Sequence, residues 1–280
     1  PYVNIGRMRN SGWDSSLQYD QKIGQVNFSA MGNFTFARNV IEDQDQPDYI
    51  EKYMNRTGQA RWQTFGYVSD GLFKDEADIA TSPDQSALGE VRPGDIKYKD
   101  LNNDGVIDSK DVKAIGYTDV PEIVYGFGVS AQWKGFDVSV FFQGNAHVSF
   151  SINSSMVRGF TEPKMAANNV FSDIYGNYWT ESNTDAKYPR LTTTEATNNN
   201  QSSDFWLVNG RYIRLKNAEF GYTFPKRLIQ KMRLSQLRVF VSGTNLLTFA
   251  PFKLWDPDLQ TGASNYPNTR VANIGLNIGF

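Results

Sequence analysis

The chain has 280 residues, with 28 basic and 30 acidic side chains, a net charge of −2 and no cysteine. That balance offers no basic surface for nucleic acid, and the lack of thiols excludes disulfides, a thiolate nucleophile and a zinc–thiolate site. Mean hydropathy is −0.49, and no run approaches the ~18 consecutive apolar residues of a spanning helix, so the remaining membrane-crossing element to test is the barrel strand, whose signal is weak in any one segment.

In chain order, Tyr2 to Tyr19 predicts one long strand broken by glycines, with Trp13, Leu17 and Tyr19 on one side of its second half and Asp14, Ser16 and Gln18 on the other. Asp20 to Gly24 reads as a turn. The next strand puts Val26, Phe28, Ala30, Phe34 and Phe36 on one face and Gln25, Asn27, Ser29, Asn33 and Thr35 on the other. Alternation then stops, and a long connection over about 38–122 follows; connections of that length are usually functional or disordered. Ile123, Tyr125, Phe127, Val129, Ala131 and Trp133 resume the pattern, Lys134-Gly135 turns the chain, and Phe136, Val138, Val140 and Phe142 carry the apolar face back.

A second long connection over 149–204 carries Thr192-Thr193-Thr194 and Asn198-Asn199-Asn200, a composition that suits a solvated outer loop. Trp206 to Phe224 is strand again, its apolar phase moving between Leu215 and Ala218 as a β-bulge would move it. Pro225 to Gln236 is a compact basic turn, Leu237 to Phe249 a strand, and Ala250 to Asn268 a moderate loop. In the last ten residues apolar side chains hold every even position from Ala272 to Phe280, which predicts a strand with one apolar face and a terminal aromatic, the way bacterial outer-membrane barrels end.

The expectation is all-β: seven strands of an antiparallel transmembrane barrel, joined by short turns at one end and long loops at the other. Single-chain bacterial barrels have an even number of strands, eight or more, and open edges in lipid leave unsatisfied backbone groups. Seven strands therefore need others to close them. The sequence starts Pro1-Tyr2-Val3 without an initiating Met or an apolar signal region, and is read as a piece whose missing strands lie on the N-terminal side.

Several stretches together resemble the SusC-type TonB-dependent transporters of the outer membrane of Bacteroidetes: Asn4 to Gly12, Gly66 to Phe73, Pro93 to Gly105, Tyr125-Gly126-Phe127, Lys134 to Gly144, Tyr212 to Asn217 and Leu237 to Leu246. They are spread along most of the chain, from Asn4 to Leu246, in family order. The resemblance implies the last third of a barrel of about 22 strands, residues 1–280 being its C-terminal portion without the plug domain. It also implies, as partners, the rest of the barrel and plug, a SusD-like surface lipoprotein and the TonB complex. The cargo implied is an oligosaccharide or a peptide, and the location is the outer membrane of a Gram-negative cell.

Asp100-x-Asn102-x-Asp104-Gly105-Val106-Ile107-Asp108-x-x-Asp111 places oxygen ligands at the spacing of an EF-hand loop, with the Val106 carbonyl at position 7 and Asp111 in place of the usual bidentate Glu. Ca2+ is the expected ion, and the shorter last carboxylate leaves room for Mg2+; the competing reading is an acidic turn that caps its own backbone. His147 is the one histidine and has no nucleophile pattern around it. No acid/base carboxylate pair stands out, so the expected protein is not an enzyme.

Tyr125, Phe127, Trp133, Phe136, Phe142 and Phe280 fit a lipid-facing surface or interface girdle. Tyr175, Tyr178, Trp179, Trp206 and Trp255, in or beside polar loops, are the candidate ligand-stacking rings. Asp137, Ser139, Gln143 and Asn245 are candidates to line a polar lumen. The alternative from another class is a calcium-binding outer-membrane adhesin or a soluble β-rich binding module.

Overall fold

The computed structural model describes residues 5–158, 160, 170–262 and 265–280. Its thirteen strands, in order, are β1 (Arg7–Ile23), β2 (Val26–Asp43), β3 (Phe65–Gly66), β4 (Ser69–Leu72), β5 (Ile96–Tyr98), β6 (Lys113–Ala114), β7 (Ile123–Trp133), β8 (Phe136–Ala146), β9 (Ser149–Ser151), β10 (Leu207–Asn209), β11 (Tyr212–Thr223), β12 (Gln236–Phe249) and β13 (Val271–Gly279). The seven long ones form one antiparallel sheet in the order β1-β2-β7-β8-β11-β12-β13, with β1 and β13 as its edges. Tyr2 to Asn4, expected to begin the first strand, lie outside the described residues.

Period-2 alternation builds this sheet, and the register makes it coherent from strand to strand. Tyr19, Ala30, Val129, Val140, Ala218, Gly243 and Ala272 are successive partners across all seven strands, a row whose one polar group is the Tyr19 hydroxyl on the edge strand. One residue along, the row is Asp20, Ser29, Ser130, Ser139, Glu219, Ser242 and Asn273, every member polar. A one-residue slip in any strand would exchange the two faces locally. The apolar face stands open: Leu17 is 76 % exposed and Ile274 85 %. In a soluble sandwich that face would be covered by a second layer.

Local geometry follows from sequence at each turn. Lys134 and Gly135 both take positive φ, +48° and +90°, the requirement of a two-residue hairpin. The expected bulge is present, with both partners of β11 changing register between Leu215 and Asn217. Phe141 and Phe240 interrupt the polar face, the first with its ring over Gly126 and Gly128 of β7, the second with its ring over Gly275 of β13. A Cβ at Gly128 would come within 2.9 Å of the Phe141 ring, and one at Gly275 within 2.1 Å of the Phe240 ring.

Two boundaries differ from expectation. β1 runs through the expected turn to Ile23, and β2 continues past Phe36 to Asp43, because Arg7 to Ser11 pair with Arg38 to Asp43 and supply the ladder that alternation does not advertise. The long connections are therefore 44–122, 147–211 and 250–270, all at one end of the sheet, opposite Gly24-Gln25, Lys134-Gly135 and the turn after Thr223 that holds a short helix, α3 (Lys226–Ile229). The remaining helices, α1 (Glu76–Thr81) and α2 (Ser155–Arg158), lie in those long connections.

Candidate functional site

The three long connections share one hydrophobic core. Tyr67, Leu72, Ile96, Tyr98 and Ile107 from the first meet Phe150, Ile152, Val157, Ile174, Tyr188 and Trp206 from the second and Phe252 from the third. The buried core of this chain is thus a cap over the loop end of the sheet.

Short ladders and side-chain amides satisfy the backbone inside the cap. β4 pairs with β5, β3 with β6 and β9 with β10. Gln85 donates to the Ile96 carbonyl at 3.1 Å and to Asn198 Oδ1 at 2.9 Å, and accepts from the Tyr98 N–H at 2.7 Å. Asn199 accepts from the Ile96 N–H at 2.8 Å and donates to Asp95 Oδ1 at 2.8 Å. Asp95, fully buried, is balanced by Arg190, whose Nε lies 2.8 Å from Oδ1. Asn198 and Asn199, expected in a solvated loop, are instead 0 % and 5 % exposed. Their amides replace the ladder bonds that this irregular backbone lacks.

The acidic loop lies at the edge of the cap, fixed by Ile107, which is fully buried. Asp100 accepts the N–H groups of Asn103 and Asp104 on one oxygen and of Gly105 on the other. Asp111, 0 % exposed, accepts from Leu101 N–H at 2.7 Å and Asp108 N–H at 2.9 Å. Asn102 donates to Asp104, and Val106 gives its N–H to Asp104. Lys110 Nζ stands 3.2 Å from Asp104 and 3.5 Å from Asp108, so the loop already gathers one positive charge between two of its carboxylates. Nearby Tyr53 donates its hydroxyl to the Lys110 carbonyl, and that hydroxyl is pushed up to about 12, first by burial and then by Glu51, Asp111, Asp100 and Asp104. Among the described residues no three carboxylate or imidazole groups converge as they stand on a point that would hold an ion.

The candidate stacking rings separate. Trp206 is 2 % exposed, with its Nε1 donating to the Asn199 carbonyl at 2.7 Å; it is a core residue of the cap, and its place in the apolar run Phe205-Trp206-Leu207-Val208 is the signal for that. Trp255 packs edge-on against Phe252 and donates Nε1 to the Gln260 carbonyl. Tyr178 and Trp179 are half-buried on the same cluster, whereas Tyr175 is 77 % exposed.

Two ionic groups fasten the cap to the strands, and a third ties strands to one another. Arg38 grips Glu122 through two bonds of 2.7 Å, and Glu122 also receives His147 Nδ1 at 3.0 Å, while the His147 ring stacks on Tyr117. Burial raises the Glu122 carboxyl, but Arg38 and His147 outweigh it and hold it below the usual carboxylate range. Arg214, 1 % exposed, reaches Asp256, Asp258 and Thr248. The third lies within the sheet, on its polar face toward the short-turn end, where Arg238 of β12 bridges Asp137 of β8 and Glu219 of β11. Sequence pattern pointed to His147 and Asp137 only as isolated polar positions, since each partner is distant in the chain.

No family model matches the chain. It is 28 % identical to TonB-dependent receptor P3 of Formosa agariphila, an alignment covering 99 % of this chain and 29 % of that receptor. To TonB-dependent receptor P26 of the same organism it is 26 % identical, covering 99 % of this chain and 30 % of the receptor. The chain thus spans about three tenths of the length of the curated relatives it matches. Among solved structures it superposes on the RagAB peptide transporter with a TM-score of 0.70 at 22 % identity, covering all of this chain and 30 % of the other. The RagAB peptide importer in its closed-closed state gives a TM-score of 0.71 at 22 % identity over the same shares.

Proposed function

We propose that this chain, a relative of TonB-dependent receptors along about three tenths of their length, forms seven adjacent strands in the C-terminal part of a larger outer-membrane barrel, together with that sector's outer cap. The observation that carries this is the pair of matched rows, apolar on one face but for the Tyr19 hydroxyl at the edge and wholly polar on the other, through all seven strands. A barrel wall needs one face for lipid and one for a polar lumen. Short connections at one end and long ones at the other give the wall its direction, the long ones outside.

On this reading the sector performs no covalent chemistry. It shapes the path of a nutrient, an oligosaccharide or a peptide, and depends on a plug, an energised TonB complex and a SusD-like surface lipoprotein. Denaturing and native mass spectrometry of the detergent-extracted protein tests it. A polypeptide of roughly a hundred kilodaltons, or a stable assembly completing the barrel, with a lipoprotein copurifying, supports the reading. A complete water-soluble chain without a partner refutes it and favours the binding-module alternative.

We also propose that the Asp100–Asp111 loop takes up Ca2+ or Mg2+ once the Lys110 ammonium swings aside. Support comes from the ligand spacing, and from the negative potential that the same carboxylates exert on Tyr53. The ion would stiffen this edge of the cap.

A further inference from the structure

The fused loops leave a cleft of about 340 Å3 between the paired strands β9 and β10, the 173–188 stretch and residues 251–254. That size is in the range of ligand pockets, ~300–1,000 Å3. Its floor contains Phe205, Trp206 and Phe252, and its rim carries Asp173, Lys187 and Lys253.

The floor rings are arranged edge-on: Phe205 meets Trp206 at 79° and Phe252 meets Trp255 at 80°. Trp206 is 2 % and Phe252 7 % exposed and Phe205 is half-buried against the Trp206 ring, so the floor lacks the broad open ring face on which a sugar stacks. An aliphatic or aromatic side chain needs only close apolar contact, and such a floor supplies it. The rim adds a charge preference. Asp173 Oδ2 accepts from Lys187 Nζ at 2.8 Å and from the Tyr188 hydroxyl at 2.8 Å, which neutralises Lys187. Asp173 lies below its usual range because of those two bonds, Lys187 first. Lys253 makes no ion pair among the described residues, so the rim carries a net positive charge.

We propose that this cleft binds a peptide segment in which a hydrophobic side chain is followed by a carboxylate, the side chain entering the floor and the carboxylate meeting Lys253. The inference rests on the import reading and narrows its cargo on this wall of the barrel to peptide.

Isothermal titration on the full-length receptor, purified from membranes in detergent, decides it. The probes are acetyl-Leu-Phe-Glu-amide, the matched acetyl-Leu-Phe-Gln-amide and maltohexaose. The acidic peptide is expected to bind about tenfold more tightly than its Gln counterpart, Lys253→Glu to remove that preference while leaving the Gln peptide unchanged, and Val208→Phe to weaken both peptides. Equal affinity for the two peptides, a preference that survives Lys253→Glu, or tighter binding of maltohexaose overturns the proposal. If the receptor needs detergent for extraction yet shows no discrimination, the cleft fails and the importer stands. A water-soluble protein that does discriminate keeps the cleft and removes the importer.

Discussion

Val129→Arg, with Ser130→Arg as its neighbour and control, separates a lipid-facing wall from a water-facing sheet. Val129 lies six residues from Ile123 and four from Trp133, the ends of β7. At about 3.4 Å per residue and a tilt of about 40°, these distances project to roughly 16 Å and 10 Å along the barrel axis. Their sum is close to the ~25 Å apolar band of such barrels, so Val129 is within a few ångströms of the midplane.

An arginine on the lipid face there costs about 2–4 kcal/mol, which is about 30-fold to 700-fold in the folding equilibrium at 1.4 kcal/mol per decade. Ser130 belongs to the polar row with Glu219 and Asp20, where a cation is expected to change stability by no more than about 0.5 kcal/mol. If the apolar face were in water, Val129→Arg would be equally mild, since Val129 is already 45 % exposed. The assay is refolding of the protein into lipid vesicles, titrated with urea and read by the heat-dependent shift in gel mobility. Equal midpoints for the two variants refute the barrel wall.

Arg214→Met leaves Asp256 and Asp258 facing each other without their cation. The cost is about 3 kcal/mol at most, because Asp258 keeps a third of its side chain in solvent; amide exchange at 256–262 is expected to quicken in an otherwise intact barrel, and unchanged exchange would remove Arg214 as the anchor of this loop. For the acidic loop, calorimetry is expected to show Ca2+ binding that strengthens in Lys110→Ala, which removes the ammonium beside Asp104; no heat from either protein ends the cation proposal. The Glu122 carboxyl lies below its ordinary value of 4.5 in the folded protein, so it contributes stability that is full above that value and disappears as pH falls through the lower, folded-state pKa. Melting of the cap is expected to fall along this acid limb in the native chain and to be flatter there in Glu122→Gln. Identical limbs would mean that the Arg38 and His147 contacts carry no linked stability.

What could be read from the sequence was set by the range of the interactions involved. Alternation is local, so seven strands, the Lys134-Gly135 turn and the phase change between Leu215 and Ala218 are all legible without knowledge of the pairing. The far end of β2 is not, because Arg38 to Asp43 are held by their partners in β1 and not by their own pattern. The cap was least legible. Its ties join Gln85 to Asn198 and Asp95 to Arg190, pairs about a hundred residues apart, and Asn or Asp in such a chain carries the same composition whether solvated or buried. The Trp206 indole illustrates the same difficulty, since an aromatic beside polar residues marks a ligand platform or a core equally well until its Nε1 is seen bonded to Asn199.

The shared core also bears on how a cargo is admitted. Separating the three connections would expose Ile96, Tyr98 and Trp206, each 2 % exposed or less, at about 1.5–3 kcal/mol for each large side chain. It would also part the buried Asp95 from Arg190, for which losses of about 3–5 kcal/mol are usual. Together that exceeds the ~5.5 kcal/mol that turns a two-state element from almost wholly closed to almost wholly open. On the import reading these loops therefore do not open one by one. They move as a body on the strand ends at Glu122 and Arg214 or stay still, and the gating motion falls to whatever pivots against them from outside or slides beneath them in the lumen.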